Sequence, residues 1–140
     1  MSGLAFFDTN ILIYMHDRNA IYKRDVALSL FRRHLYSHTL VISTQVLQEF
    51  YVNVSRRTEN IRSGYAREIT AEYARLNVVS IHPSHVLAAV DLHTRYKLSF
   101  WDSLILVAAK AADALLVWSE DLGHGQVYDG VRVENPFLTH

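Results

Sequence analysis

With 140 residues, half of them hydrophobic, the chain is long enough to bury about two-thirds of its unfolded surface in one core and is globular rather than disordered. Fourteen basic residues balance fourteen acidic ones, so no global field draws it to nucleic acid or an anionic membrane, and any polyanion must be held locally. The lack of cysteine excludes a disulfide framework and thiol chemistry. The longest apolar run, Leu104 to Ala109, is far too short to span a bilayer, and no signal-like stretch opens the chain. One cytoplasmic domain over residues 1–140, with no membrane segment, is the expectation.

The stretch Leu4 to Asn10 opens with four apolar residues without alternation, the pattern of a short strand buried on both faces inside a parallel sheet. A short helix is expected over Thr9 to Met15. A longer one follows, capped by Asp17 or Asn19, with Val26, Leu30 and Leu35 as its apolar stripe. Leu40 to Ser43 is a second strand, and Ser43 caps a helix from about Thr44 to Arg56. Another helix begins near Asn60 and carries Ile69, Tyr73 and Leu76 on one side.

Val78 to Ile81 is a third strand, ended by Pro83; Ser84 caps a helix to about Lys97, and Ser99 caps one to about Ala112. Leu115 to Trp118 and Val131 to Glu134 complete the strands. The alternation of strands and helices predicts a three-layer α/β/α sandwich with a mostly parallel central sheet. The Gly-rich loop from Gly123 to Gly130 fits neither a P-loop nor a dinucleotide fingerprint.

Four acids fall at comparable places. Asp8 leaves the first strand and Asp121 the fourth, while Glu49 and Asp102 lie near the starts of helices. In a parallel layer all four positions fall on the carboxyl edge of the sheet, where open α/β folds place their ligands. Each also has a purely structural reading. Asp8 or Thr9 caps a helix, Ser99 with Asp102 forms a capping box, and Glu49 belongs to the polar strip Gln45, Glu49, Asn53, Arg56 beside a core stripe. Glu120 is a neighbour that could substitute for Asp121. Gathered without compensating bases, four carboxylates repel one another and need a cation; an all-oxygen set suits Mg²⁺ or Mn²⁺ rather than zinc.

Asp-Thr-Asn after an apolar strand, the glutamate of Ser-Thr-Gln-Val-Leu-Gln-Glu-Phe, the aspartate of Leu-Ser-Phe-Trp-Asp-Ser-Leu-Ile, and Ser-Glu-Asp-Leu-Gly-His-Gly-Gln closing towards Asn135-Pro136-Phe137 together resemble a PIN domain, in particular the VapC-type toxins of bacterial toxin-antitoxin pairs. The resemblance covers nearly the whole chain. It implies that Asp8, Glu49, Asp102 and Asp121 correspond to an acidic metal site, with Asn10 and Ser119 as supporting polar residues. It further implies a metal-dependent ribonuclease, normally a homodimer, inhibited by a small antitoxin.

On that reading Asp8, Asp102 and Asp121 are ligands, directly or through water, and Glu49 is a ligand or the base that takes a proton from the attacking water. RNA contact would fall to Arg56, Arg57 and Arg62, which read equally well as solvated helix ends. Phe100, Trp101 and Trp118 are expected to pack in the core, with base stacking open to any that reach the surface. The alternatives are a PIN-like protein-binding module that no longer cleaves and a receiver-type phosphoryl-transfer domain. The latter wants a strand-end lysine that Lys97 and Lys110 do not supply.

Overall fold

The structure is a computed structural model and describes residues 3–57 and 64–138. Six strands form one sheet in the order β3-β2-β1-β4-β6-β5. They are β1 (Ala5–Phe7), β2 (Leu40–Ser43), β3 (Asn77–Val79), β4 (Leu116–Trp118), β5 (Val127–Tyr128) and β6 (Val131–Glu134). Every pairing is parallel except β5 with β6. The helices are α1 (Thr9–Tyr14), α2 (Ile21–Tyr36), α3 (Thr44–Arg56), α4 (Tyr65–Tyr73), α5 (Pro83–Tyr96) and α6 (Phe100–Ala111).

Topology fixes which helices cover which face. From β1 the chain steps outward through α1 and α2 to β2, then through α3 and α4 to β3. It then returns through α5 and α6 to β4, on the other side of β1. Because parallel crossovers are right-handed, the reversal of direction puts α5 and α6 on the face opposite α1 to α4. The packing agrees: α1 lies against α2 and α3, α3 against α4, and α5 against α6. Both faces being covered, every residue of β1 and β2 is buried, which is why their sequences are continuous apolar runs. The reversal also leaves a crevice beyond the carboxyl ends of β1 and β4, the switch point where such sheets bind ligands.

Most expected elements are present, with shifts at their ends. α2 starts from Ala20 without a side-chain cap; Asp17 instead accepts from the backbone N–H of Asn19 at 3.0 Å. The inward stripe of α2 is Ala27, Leu30 and Phe31 and is continued by His34, whose ring packs on Phe7 with centroids 5.4 Å apart; Leu35, one position round the helix, is 44% exposed. α5 begins at Pro83 rather than after Ser84, because proline suits the first helical position, where no N–H is needed. The expected start of a helix near Asn60 lies outside the described residues; α4 is described from Tyr65.

β5 is the element that was not expected. Tyr128 pairs with Val131 across Asp129 and Gly130, whose φ angles of 50° and 84° are the left-handed pair that a tight two-residue hairpin turn requires.

Two serine caps set the helices that face the switch point. Ser43 Oγ accepts from the N–H of Val46 at 3.3 Å, and Ser99 Oγ from the N–H of Asp102 at 3.0 Å. Ser43 is fully buried, so no water replaces a lost acceptor. Ser43→Ala is expected to cost about 1 kcal/mol, read as a fall of a few degrees in thermal melting with the helical content unchanged.

Candidate active site

Each proposed acid reaches the crevice for a local reason. Asp8 follows β1 in extended backbone and its side chain accepts from Thr9 N, so it caps α1 while facing the switch point. Glu49 lies a turn and a half into α3, on the polar strip beside the buried Val46, Phe50 and Val54. Asp102 is in the first turn of α6. Asp121 follows β4 by three residues. All four line one cleft of about 600 Å³ together with Thr9, Asn10, Gln45, Gln48, Asn53 and Trp101. Among the described residues, no lysine, arginine or histidine lines it.

A hydrogen-bond frame ties the cleft together. Asp8 Oδ1 accepts from the N–H of Thr9 at 2.7 Å, and Oδ2 accepts from Ser119 Oγ at 2.6 Å and from Asn10 Nδ2 at 3.4 Å. Asn10 Nδ2 also donates to Asp121 Oδ2 at 3.0 Å, so one amide bridges two carboxylates from opposite sides of the switch point. Ser119, itself fully buried, accepts from the backbone N–H groups of Asp121 and Leu122 and so shapes the turn that presents Asp121. Thr9 Oγ1 donates to Glu49 Oε1 at 2.6 Å, linking α1 to α3.

Burial pushes the Asp8 carboxyl up to about 7 from 3.8; its bonds to Ser119 and Thr9 pull the other way, and the charges of Asp121 and Glu49 add to the rise. The Asp102 carboxyl is also raised, first by burial and further by Asp121, against a bond from Ser99. Glu120, by contrast, is held low. Burial opposes its charge, but Lys23 and Tyr14 outweigh that, the Lys23 ammonium in direct contact and the Tyr14 hydroxyl at 2.7 Å. Glu120 is absent from the cleft lining, so of the two adjacent acids Asp121 is the one that faces it.

Does this cleft fit a divalent cation? The donor chemistry does, being carboxylates, amides and hydroxyls only. Gln45, 4% exposed on the cleft wall, adds a polar deficit: among the described residues its Oε1 is buried without a donor. The side chains as they stand, however, do not converge: among the described residues no three acid, histidine or cysteine groups approach closely enough to hold an ion together.

Other residues fall elsewhere. Arg56 ends α3 and Arg57 caps it; neither lines the cleft, and Arg57 is paired with Asp17 at 3.4 Å. Arg62 lies outside the described residues. Trp118 packs against His34, to which its indole N–H donates at 3.1 Å, whereas Trp101, expected in the core, is 61% exposed at the cleft. Thr9 and Gln45 are cleft residues that the sequence presented only as a cap and a polar strip. Lys23 gave no signal, since its partner is 97 positions away.

A mostly parallel α/β fold with an acid-lined crevice at its switch point defines the class. Residues 5–130 match the PIN domain model, and the chain belongs to the PIN domain family. No curated protein matches it significantly in sequence. Among solved structures it is similar to VapBC2 from Rickettsia felis bound to a DNA fragment from its promoter, with 19% identity, coverage of 94% of this chain and 98% of that one, and a TM-score of 0.70. A toxin-antitoxin complex from Klebsiella pneumoniae gives 21% identity, 94% and 97% coverage, and a TM-score of 0.66. VapC20 from Mycobacterium tuberculosis, described as a sarcin-ricin loop cleaving toxin, gives 18%, 84% and 91%, and 0.62. At these identities the likeness establishes the fold.

The raised Asp8 carboxyl has a measurable sign. Its proton is kept in the fold and released by the unfolded chain, so the stability it contributes is present below about pH 4 and lost as pH rises through about 7. Metal-free protein is expected to melt at progressively lower temperature from pH 5 to pH 8, with roughly 3 kcal/mol as the scale of the effect over that range. Asp8→Asn should flatten that slope. A slope equally steep in the variant would assign the dependence to other groups.

Proposed function

We propose that the protein is a metal-dependent endoribonuclease, the toxin of a toxin-antitoxin pair. What supports this reading above all is that Asp8, Glu49, Asp102 and Asp121, from four separate segments, line one cleft to which no base contributes among the described residues. Carboxylates buried or crowded enough to raise two of their pKa values are stabilised together by a cation, and Mg²⁺ or Mn²⁺ matches oxygen donors. Asp8, Asp102 and Asp121 would hold it, with Glu49 as a further ligand or as base.

A bound divalent ion supplies Lewis acidity at the phosphodiester and eases deprotonation of water. The chain supplies the rest. Ser119, Asn10 and the N–H of Thr9 fix Asp8, leaving it no rotamer freedom. Asn10 holds Asp121 at a set distance from Asp8. Glu49 Oε2 lies outside the bond with Thr9 and accepts only a long bond of 3.5 Å from Gln45 Nε2, and the residue is exposed, which suits it to receive the proton of the attacking water. Water adds to phosphorus, the phosphorus–oxygen bond to the leaving nucleotide breaks, and the leaving oxygen takes a proton from solvent.

The similar structures include toxin-antitoxin complexes, which supports a small antitoxin as the partner. Exposed apolar residues on α5 (Val86, Leu87 and Val90) offer a face for a second copy, as a homodimer requires. A non-cleaving binding module is the rival reading, favoured by the carboxylates not yet converging on one point.

Purified protein is expected to cleave RNA in Mg²⁺ or Mn²⁺ and to stop with chelator. Asp8→Asn and Asp102→Asn should each lower the rate by at least about a hundredfold and erase the Mn²⁺-induced rise in melting temperature. Variants that cleave at near wild-type rate would leave the acids as caps and remove the mechanism. Expression alone should slow bacterial growth, and co-expression with the adjacent small gene should restore it through a copurifying complex. Unimpaired growth with active enzyme would count against a toxin.

A further inference from the structure

Among the described residues, none that lines the cleft proposed to receive RNA carries a positive charge, and the chain carries no net charge. Non-specific RNA binding ordinarily draws most of its strength from lysine and arginine at phosphates. Here that contribution is missing where the reacting phosphate would sit, so the strand must be held by contacts of another kind.

One residue of the lining is built for such a contact. Trp101 lies immediately before Asp102, lines the cleft with it, and leaves 61% of its surface exposed. A tryptophan gains more from burial than almost any other side chain, so an indole left in water beside four acids needs a reason. It is not loosely placed. Its ring meets Phe100 edge to face, with centroids 5.1 Å apart, and its backbone carbonyl accepts from Gln45 Nε2 at 3.2 Å. The orientation of that amide is fixed, because both of its neighbours, the Trp101 carbonyl and the Glu49 carboxylate, are acceptors. Gln45 thus fastens the backbone of Trp101 to α3 while the ring remains open. The exposed apolar residues of α5, which would suit contact between copies, do not line the cleft.

We propose that Trp101 is a stacking platform for an unpaired nucleobase next to the scissile phosphate. This rests on the ribonuclease reading. Stacking on an aromatic face is sequence-tolerant and independent of charge, and in a duplex the faces of the bases are already occupied by their neighbours.

The test uses the full chain, Trp101→Ala and Trp101→Phe, with a single-stranded oligoribonucleotide bearing 2′-O-methyl groups as probe, and its duplex as control. Trp101→Ala is expected to weaken single-strand binding roughly ten- to a hundredfold, while Trp101→Phe retains most of it. Adding the single strand should quench wild-type tryptophan fluorescence, and that quench should vanish in Trp101→Phe. The Mn²⁺-induced rise in melting temperature should be the same in all three proteins, showing the acids undisturbed. Single-strand affinity unchanged in Trp101→Ala overturns the proposal. So does a variant altered only in sedimentation, which would assign the indole to contact between copies. Wild-type protein that neither binds nor cleaves any RNA in Mn²⁺ overturns the ribonuclease reading itself.

Discussion

The bond from Ser119 Oγ to Asp8 Oδ2, 2.6 Å long and out of reach of water, joins the ends of two parallel strands that lie 111 residues apart in the chain. Around it the carboxyl edge takes its shape. The Asp8 N–H donates to the Trp118 carbonyl at 3.0 Å, Asn10 reaches across to Asp121, and Ser119 turns the backbone that carries Asp121. A serine hydroxyl donates one bond, and here that bond is committed to a carboxylate that burial has made costly to ionise. Position is fixed by the frame, while charge is left to be settled by whatever enters the cleft.

That division explains how opposite charges are distributed nearby. Lys23 stands at the same edge but is spent on Glu120 and Tyr14, and it lies over the rings of Tyr14 and Phe137 at 4.8 and 5.5 Å. Two adjacent acids after β4 are thereby sorted, one neutralised internally and one left facing the crevice. The neutral overall charge conceals a local excess of negative charge, kept apart from the bases that balance it.

Much of the fold was legible because buried parallel strands are written as short apolar runs and helices begin at residues such as Ser43 and Ser99, whose hydroxyls act locally. The acids could be placed on one edge by the same reasoning, since each follows an element boundary by a few residues. What escaped depended on distant contacts. The pairing of Lys23 with Glu120, the bond from Thr9 to Glu49 and the outward position of Trp101 are set by how α1, α2, α3 and α6 meet, and no periodicity in any one of them records it. The hairpin of β5 is a different case, because Asp129-Gly130 is a local turn signal that was present in the sequence.

The order of the strands in the sheet also governs when the cleft comes into being. β1 is made first, yet its inner edge stays open until β4, more than a hundred residues later, slots in beside it. A growing polypeptide that has reached only α6 holds Asp8, Glu49 and Asp102 but has neither the serine that orients Asp8 nor the fourth acid. A chain that stops within α6 therefore lacks two of the groups that shape this edge, and the cleft is assembled only once β4 and the turn that follows it have been made.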